Sequence, residues 1–262
     1  MPLTPFQIEV LGVLAENRSV ASHIAGGLAL NATPDSPRFS EDIDIFHDAE
    51  EAVAVSSERD CASLAAAGYA VTRQLWEPAF RRVWTERGGA GVKVEWAQDA
   101  AWRFFPIEND PVLCWRLHPF DALTNKALAM GARAETRDLV DIVSHAARFP
   151  LHAVVWAACA KDPGWTPLLL LEQMRRNARL DTAALREMGA RIAPTEIKTR
   201  WLPLAEQAET HLTAAAQAGI EMGLAFISAS AEIVWHDTPS TPHRASLGGV
   251  VPRLSGVHYP IQ

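Results

Sequence analysis

Two carboxylates one residue apart, Asp42 and Asp44, are the side chains in this sequence best placed to do chemistry. Along a strand, residues i and i+2 leave the same face. The run Asp42-Ile43-Asp44-Ile45-Phe46 therefore projects both acids together and buries Ile43 and Ile45 behind them. Two acids so close repel unless a cation sits between them. Oxygen ligands of this kind suit Mg²⁺ or Mn²⁺, with water and substrate phosphates filling the other positions. Ser40 shares the parity of the acids and can donate its hydroxyl to a phosphate. Upstream, Gly26-Gly27 follows the apolar Ile24-Ala25 and precedes Leu28-Ala29-Leu30. A glycine pair permits close backbone approach, and the helix after it would aim its first amides at phosphate oxygens. In this order, the residues describe a site for a metal and a triphosphate.

The elements that must hold these residues follow from spacing. Phe6, Val10, Leu11 and Leu14 recur at helical intervals within 3–17. A short strand runs into the glycine pair, a loop with Pro34 and Pro37 follows, and a strand carries Ile43, Ile45 and Phe46. Residues 49–67 read as a helix that stops at Gly68, and 69–75, 80–85 and 92–96 as strands. The last two flank Gly88-Gly89-Ala90-Gly91, a hairpin turn. From His118 the pattern is helical: 120–132, 136–149, 151–160, 167–180, 182–188, 202–218 and 221–234. After His236 the chain is rich in Pro, Ser, Gly and His and reads as a tail or wrapping arm. The predicted architecture is α+β: a small mixed-sheet α/β core over 1–115, an all-α domain over 116–236 and a tail over 237–262, with the boundary marked by Pro106, Pro111 and Pro119.

Composition narrows the class of protein. The 262 residues are 48% hydrophobic and 21% charged, which excludes disorder over most of the length. No apolar run reaches the roughly 20 residues a spanning helix needs, and no basic segment leads into an apolar one as in a signal peptide. Cys61, Cys114 and Cys159 are odd in number and far apart, as in a reducing cytoplasm. The net charge of −7 argues against a general nucleic-acid binder, but it is unevenly spread. Residues 35–60 hold nine carboxylates against two arginines, whereas 172–200 hold seven basic residues against four acidic ones. The pattern fits either a metal site beside a polyanion-binding surface or simply solvated charge.

The order Gly26-Gly27, then Arg38-Phe39-Ser40-Glu41-Asp42-Ile43-Asp44, resembles the signature of the polymerase-β-like nucleotidyltransferase superfamily. More narrowly, it is similar to the AbiEii family of nucleotidyltransferase toxins of type IV toxin–antitoxin systems. That family has a glycine pair, then Arg-x-Ser/Thr-x-Asp-x-Asp, met here by Gly26, Gly27, Arg38, Ser40, Asp42 and Asp44. Its later motifs, a helical lysine and a basic-Asp-x-x-Asp stretch, are matched by Lys126 and by Arg137-Asp138-Leu139-Val140-Asp141, with Arg where many members have Lys. The likeness spans about residues 22–145. It implies Mg²⁺ (or Mn²⁺) on Asp42 and Asp44, an NTP cradled by Gly26, Gly27, Arg38, Ser40, Lys126 and Arg137, and Asp138 orienting Lys126 or the acceptor. Many superfamily members carry a third acid on a later strand, where this chain has Glu95. Two readings of Glu95 stand level: a metal ligand or base, and an edge-strand acid paired with Lys93 or solvent.

The implied reaction transfers a nucleoside monophosphate from an NTP to an acceptor hydroxyl in the cytoplasm. The acceptor is RNA, most plausibly a tRNA end docked on residues 172–200, and a cognate antitoxin is an implied partner. A small-molecule or protein hydroxyl, or a non-catalytic nucleotide-binding module, are the alternatives. Asp138 and Asp141 lie three apart on one helical face and Arg133 and Arg137 four apart on another, either a working surface or a solvent side. None of the nine histidines has metal-ligand spacing, no cysteine has a neighbouring partner for zinc, and the nine tryptophans are scattered, as core packing or a base-stacking wall.

Overall fold

The structure, a computed structural model, describes residues 3–31 and 36–252. Helix α1 (Pro5–Leu14) begins at a reciprocal cap: Thr4 Oγ1 accepts from the Gln7 amide, and Gln7 Oε1 accepts from the Thr4 amide. After one 3-10 turn (Ala15–Asn17) come β1 (Ser22–Ile24), α2 (Gly26–Asn31), β2 (Asp42–His47), α3 (Glu50–Ala66), β3 (Ala70–Trp76), β4 (Phe80–Arg87) and β5 (Ala90–Gln98). Then follow β6 (Trp102–Arg103), β7 (Glu108–Asp110), β8 (Cys114–Arg116), α4 (Pro119–Ala132), α5 (Thr136–His145), α6 (Leu151–Ala158), α7 (Pro167–Asn177), α8 (Thr182–Glu187) and α9 (Pro194–Gln217). Strands β9 (Leu224–Ile227), β10 (Ile233–Val234), β11 (Thr241–Arg244) and β12 (Ser246–Leu247) close the described chain.

The described residues form two compact units. The first is drawn from Met1–Ala101, Ile107–Ala122 and Met188–Ala190, and holds a mixed sheet in the order β3-β4-β5-β2-β1-β8-β7. Strand β2 lies at the centre, parallel to β5 and antiparallel to β1. Ile43, Ile45, Val83, Val94 and Trp96 are buried on one face with Val10, Leu11 and Leu14 of α1 and Val53 and Leu64 of α3. The turn between β4 and β5 is Gly88-Gly89, both with positive φ (60° and 83°), the conformation a two-residue hairpin loop requires. The stretch that carries Pro106, Pro111 and Pro119 contributes β7 and β8 to this sheet, with Ile24 paired to Arg116. Three-residue strands show no alternation; long-range pairing alone makes them.

The second unit, from Trp102–Pro106, Leu123–Glu187 and Arg191–Gln262, carries the expected C-terminal helices. Every residue of α6 is buried, including His152, as an all-round apolar helix must be. The helix predicted over 221–234 is a correction: Leu224–Ile227 is the middle strand of a three-stranded sheet, β10-β9-β11. Gly219 and Gly223, with φ of 68° and 81°, cut this apolar run off from α9, and four residues buried on both faces suit a strand rather than a helix. The expected tail is likewise corrected as far as it is described, since β11 pairs with β9 and β12 with β6. Residues 253–262 lie outside the described residues.

Candidate active site

The glycine pair starts α2 and packs directly on the acid-bearing strand. Gly26 has φ +56°, and a Cβ there would lie 2.0 Å from Asp44 Oδ2. The Ala25 amide donates to the Asp44 carbonyl at 3.0 Å. A Cβ at Gly27 would meet Arg38 Nη2 at 2.7 Å and Ser40 Oγ at 3.0 Å. Gly26, Gly27, Arg38, Ser40 and Asp44 are thus one contiguous group, and bare backbone is what lets them meet.

The loop before β2 is tied on several sides. Arg38 is buried and its Nη1 donates to the Phe39 carbonyl at 2.8 Å, while Ser36 Oγ donates to the Arg38 carbonyl at 2.8 Å. Ser40 Oγ donates to the Asp42 carbonyl at 3.3 Å, so its hydroxyl is engaged by the chain itself. Gln7 Nε2, reaching from α1, donates to the Ser40 carbonyl at 2.6 Å. The Phe39 amide donates to the Met188 carbonyl, and Gly189 (φ +56°) stands where a Cβ would strike the Phe39 ring. Neither Gln7 nor Gly189 carried a sequence signal of this role, because both act through long-range packing.

Asp42 pairs in register with Lys93, and Asp44 with Glu95, across the parallel β2–β5 ladder. All four side chains therefore share a face, opposite the buried isoleucines. Lys93 Nζ lies 3.0 Å from Asp42 Oδ1 and 3.6 Å from Glu95 Oε1, and Arg82 Nε on β4 lies 2.7 Å from the same Glu95 oxygen. Strand β5 is internal, flanked by β4 and β2, so Glu95 is no edge-strand acid. Its nearest cation is Arg82, which the sequence reading did not single out; the two-residue glycine turn sets that register.

Asp42 and Asp44 suit a divalent ion by donor type: two acids of hard oxygen donors on one face of the sheet, with Gly26 backbone packed against Asp44. Among the described residues, no three His, Cys, Asp or Glu side chains converge as metal ligands. Glu95 shares the face of the acid pair but is held by Arg82 and Lys93.

The remaining residues that the sequence singled out belong to the second unit. Lys126 on α4 is buried, with Nζ 2.8 Å from Asp138 Oδ1 and 3.3 Å from Asp141 Oδ2, both acids lying on α5 and fully buried. Arg133 Nε adds a contact to Asp138 Oδ2 at 2.9 Å. Burial pushes the Asp138 carboxyl up, but the Lys126 charge and the hydrogen bonds from Arg133 and Lys126 outweigh it and hold the group below the usual range. Lys126 is therefore no surface decoration, and Asp138 and Asp141 no solvent face. Arg133 precedes α5, which begins at Thr136, so it shares no helical face with Arg137. Arg137 is half-buried on α5. In the basic stretch 172–200, Arg175 pairs with Glu209, Arg176 with Glu172 and Arg200 with Glu196, which spends part of its charge.

No protein-family model and no curated protein matches this chain. Solved structures do. An H. pylori protein assigned as a nucleotidyltransferase aligns over 81% of this chain and 98% of its own, at 15% identity and a TM-score of 0.53. JHP933 from Helicobacter pylori aligns over 80% of this chain and 93% of its own, at 14% identity and 0.50. MenT4, a nucleotidyltransferase toxin from Mycobacterium tuberculosis, aligns over 79% and 91%, at 15% identity and 0.43. The first two carry the fold assignment. The chain has a nucleotidyltransferase-like α+β fold, with a helical part after the mixed sheet.

Proposed function

We propose that this protein is a metal-dependent nucleotidyltransferase that moves a nucleoside monophosphate from an NTP to an acceptor hydroxyl. The observation that carries the reading is the packing of Gly26 on Asp44 and of Gly27 on Arg38 and Ser40, beside Asp42. It joins a Cβ-free turn to two parallel-facing acids, on a fold shared with an assigned nucleotidyltransferase.

Asp42 and Asp44 would hold Mg²⁺ or Mn²⁺, whose chemistry there is activation of the attacking oxygen and neutralisation of phosphate charge. The chain's own part is positioning, which is most of what phosphoryl-type transfer asks. Gly26 and Gly27 give the triphosphate close access to backbone amides. Arg38 and Ser40 brace that turn from behind, and the family resemblance assigns the β- and γ-phosphates to Lys126, which Asp138 and Asp141 set. The acceptor oxygen bonds to the α-phosphorus, the bond to the β-phosphate oxygen breaks, pyrophosphate leaves, and the hydroxyl proton passes to water. Following the toxin-like resemblance, the acceptor is RNA, with a tRNA end first among candidates, and the setting is the cytoplasm with a cognate antitoxin as regulator. Among the described residues no helix is long and apolar enough to cross a membrane.

The test is incubation with each α-labelled NTP, Mg²⁺, and either total RNA or a protein extract. Label on RNA, lost in Asp42→Asn and Asp44→Asn, is the expected result. Label on protein would redirect the acceptor; label nowhere would remove the enzyme reading.

A further inference from the structure

The acid pair is accompanied by a cation of the chain's own, and its geometry suggests more than a surface ion pair. Lys93 stands opposite Asp42 in the ladder, with Nζ 3.0 Å from Oδ1 of an acid whose side chain is only 12% exposed. The same ammonium lies 3.6 Å from Glu95, whose oxygen Arg82 also grips at 2.7 Å. Three carboxylates therefore share a face with two cations of different character. Arg82, with 35% of its side chain exposed, presents a planar fork, whereas Lys93, with 30% exposed, is a single point charge on a four-carbon stem. Of the two, Lys93 is the one in contact with Asp42.

We propose that Lys93 is the resident counter-ion of the acid pair and competes with the divalent cation for Asp42. The proposal rests on the nucleotidyltransferase reading of this site. Without metal, Nζ offsets negative charge at Asp42. A divalent ion bound at Asp42 repels a single-charge ammonium 3.0 Å from the same carboxylate oxygen, so binding requires Nζ to swing away. Metal alone then binds weakly, and anionic phosphates that offer Nζ a new partner lower the cost. Metal and nucleotide thereby bind cooperatively through one side chain.

Mn²⁺ binding to the full chain without nucleotide, followed by electron paramagnetic resonance of the free ion, tests this without recourse to activity. Lys93→Met keeps the length of the stem and removes the charge, and should tighten Mn²⁺ binding at least about tenfold. Lys93→Arg, which keeps the charge, should stay near wild type. Arg82→Gln removes a charge one strand further from Asp42 and should gain clearly less than Lys93→Met. Lys93→Gln serves if the Met variant does not fold. Unchanged affinity in Lys93→Met, or an equal gain in Arg82→Gln, overturns the competition and leaves the acid pair as a metal site. Mn²⁺ binding that survives Asp42→Asn and Asp44→Asn, or binding in neither wild type nor Lys93→Met, removes the metal site itself and the proposal with it.

Discussion

At Gly26 a single hydrogen decides whether the acid pair can exist. The position combines φ +56° with a Cβ path ending 2.0 Å from Asp44 Oδ2. Gly26→Ala should lose about 1–2 kcal/mol from backbone strain, and it must also turn the Asp44 carboxylate aside. Gly27→Ala meets the end of the Arg38 side chain at 2.7 Å and Ser40 Oγ at 3.0 Å but has no positive φ, so it should be milder. Urea unfolding and label transfer on both variants check the order; an equal or larger loss at Gly27 would contradict it. Lys126 allows an equally sharp expectation. A surface lysine replaced by alanine is neutral or better, whereas removing Lys126 leaves two fully buried carboxylates short of a cation. Lys126→Ala should therefore cost about 3 kcal/mol, the scale of a broken buried pair. A melting temperature at the wild-type value would mean that Arg133 alone satisfies Asp138.

Among the elements, α3 is fixed to the sheet by polar contacts as well as by apolar packing. Its Asp60, fully buried, pairs with Arg18 and accepts from Trp96 Nε1 on β5 at 2.7 Å and from Asn17 Nδ2 at 2.9 Å. Arg18 Nη1 in turn donates to Ser22 Oγ on β1, which lies 3.0 Å from His47 Nε2 on β2. Asp60 thus joins α3 to β5 and, through Arg18, to the strand leading into the glycine pair. Asp60→Ala strands a buried guanidinium and should cost about 3–5 kcal/mol. The fall should register as a lower urea midpoint with little change in Mn²⁺ affinity per folded molecule, because Asp60 lies on the face opposite the acids. A loss below about 1 kcal/mol would show Arg18 well served by the Leu14 carbonyl at 3.2 Å, Ser22 Oγ at 2.8 Å and Ser56 Oγ at 3.3 Å alone.

For the molecule as a whole, two buried histidines, His47 and His152, contribute to its response to acid. Burial, reinforced by the nearby Arg18 charge, pulls His47 down to about 4. Burial, and then the stacked His211 ring at 4.2 Å, pulls His152 down to about 4, with His236 adding to the effect and Asp237 opposing it. An unfolded histidine titrates near 6.5. Between about 4 and 6.5 the unfolded chain therefore binds protons that the folded chain refuses, and stability rises with pH across that window. The urea midpoint should fall on acidification from about pH 6.5 to 4, less steeply in His47→Gln and in His152→Gln. Asp138 acts in the other range: its depressed folded pKa contributes stability above the ordinary carboxylate value, lost as pH falls through the folded value. A flat midpoint between pH 4 and 6.5 would contradict the histidine assignment.

Local chemistry by itself determined much of this protein. The alternation around Ile43 and Ile45 places the acids on one face; Gly88-Gly89 dictates a two-residue hairpin and, through its register, the meeting of Arg82 with Glu95; the apolar period gives most of the helices. Such features depend on neighbours within a few residues, where sterics and periodicity act directly. Pairings between distant segments were not legible. The run 221–234 kept helical spacing yet became strands, because β9 gains partners on both sides that no local pattern announces. Asp138 and Asp141 read as either solvent side or working face until α5 buried them against Lys126. The parallel ladder between β2 and β5 likewise joins segments about fifty residues apart, and it alone brings Lys93 to Asp42. Charge compensation is a long-range choice, set by which strands lie side by side, and only the tertiary structure makes it.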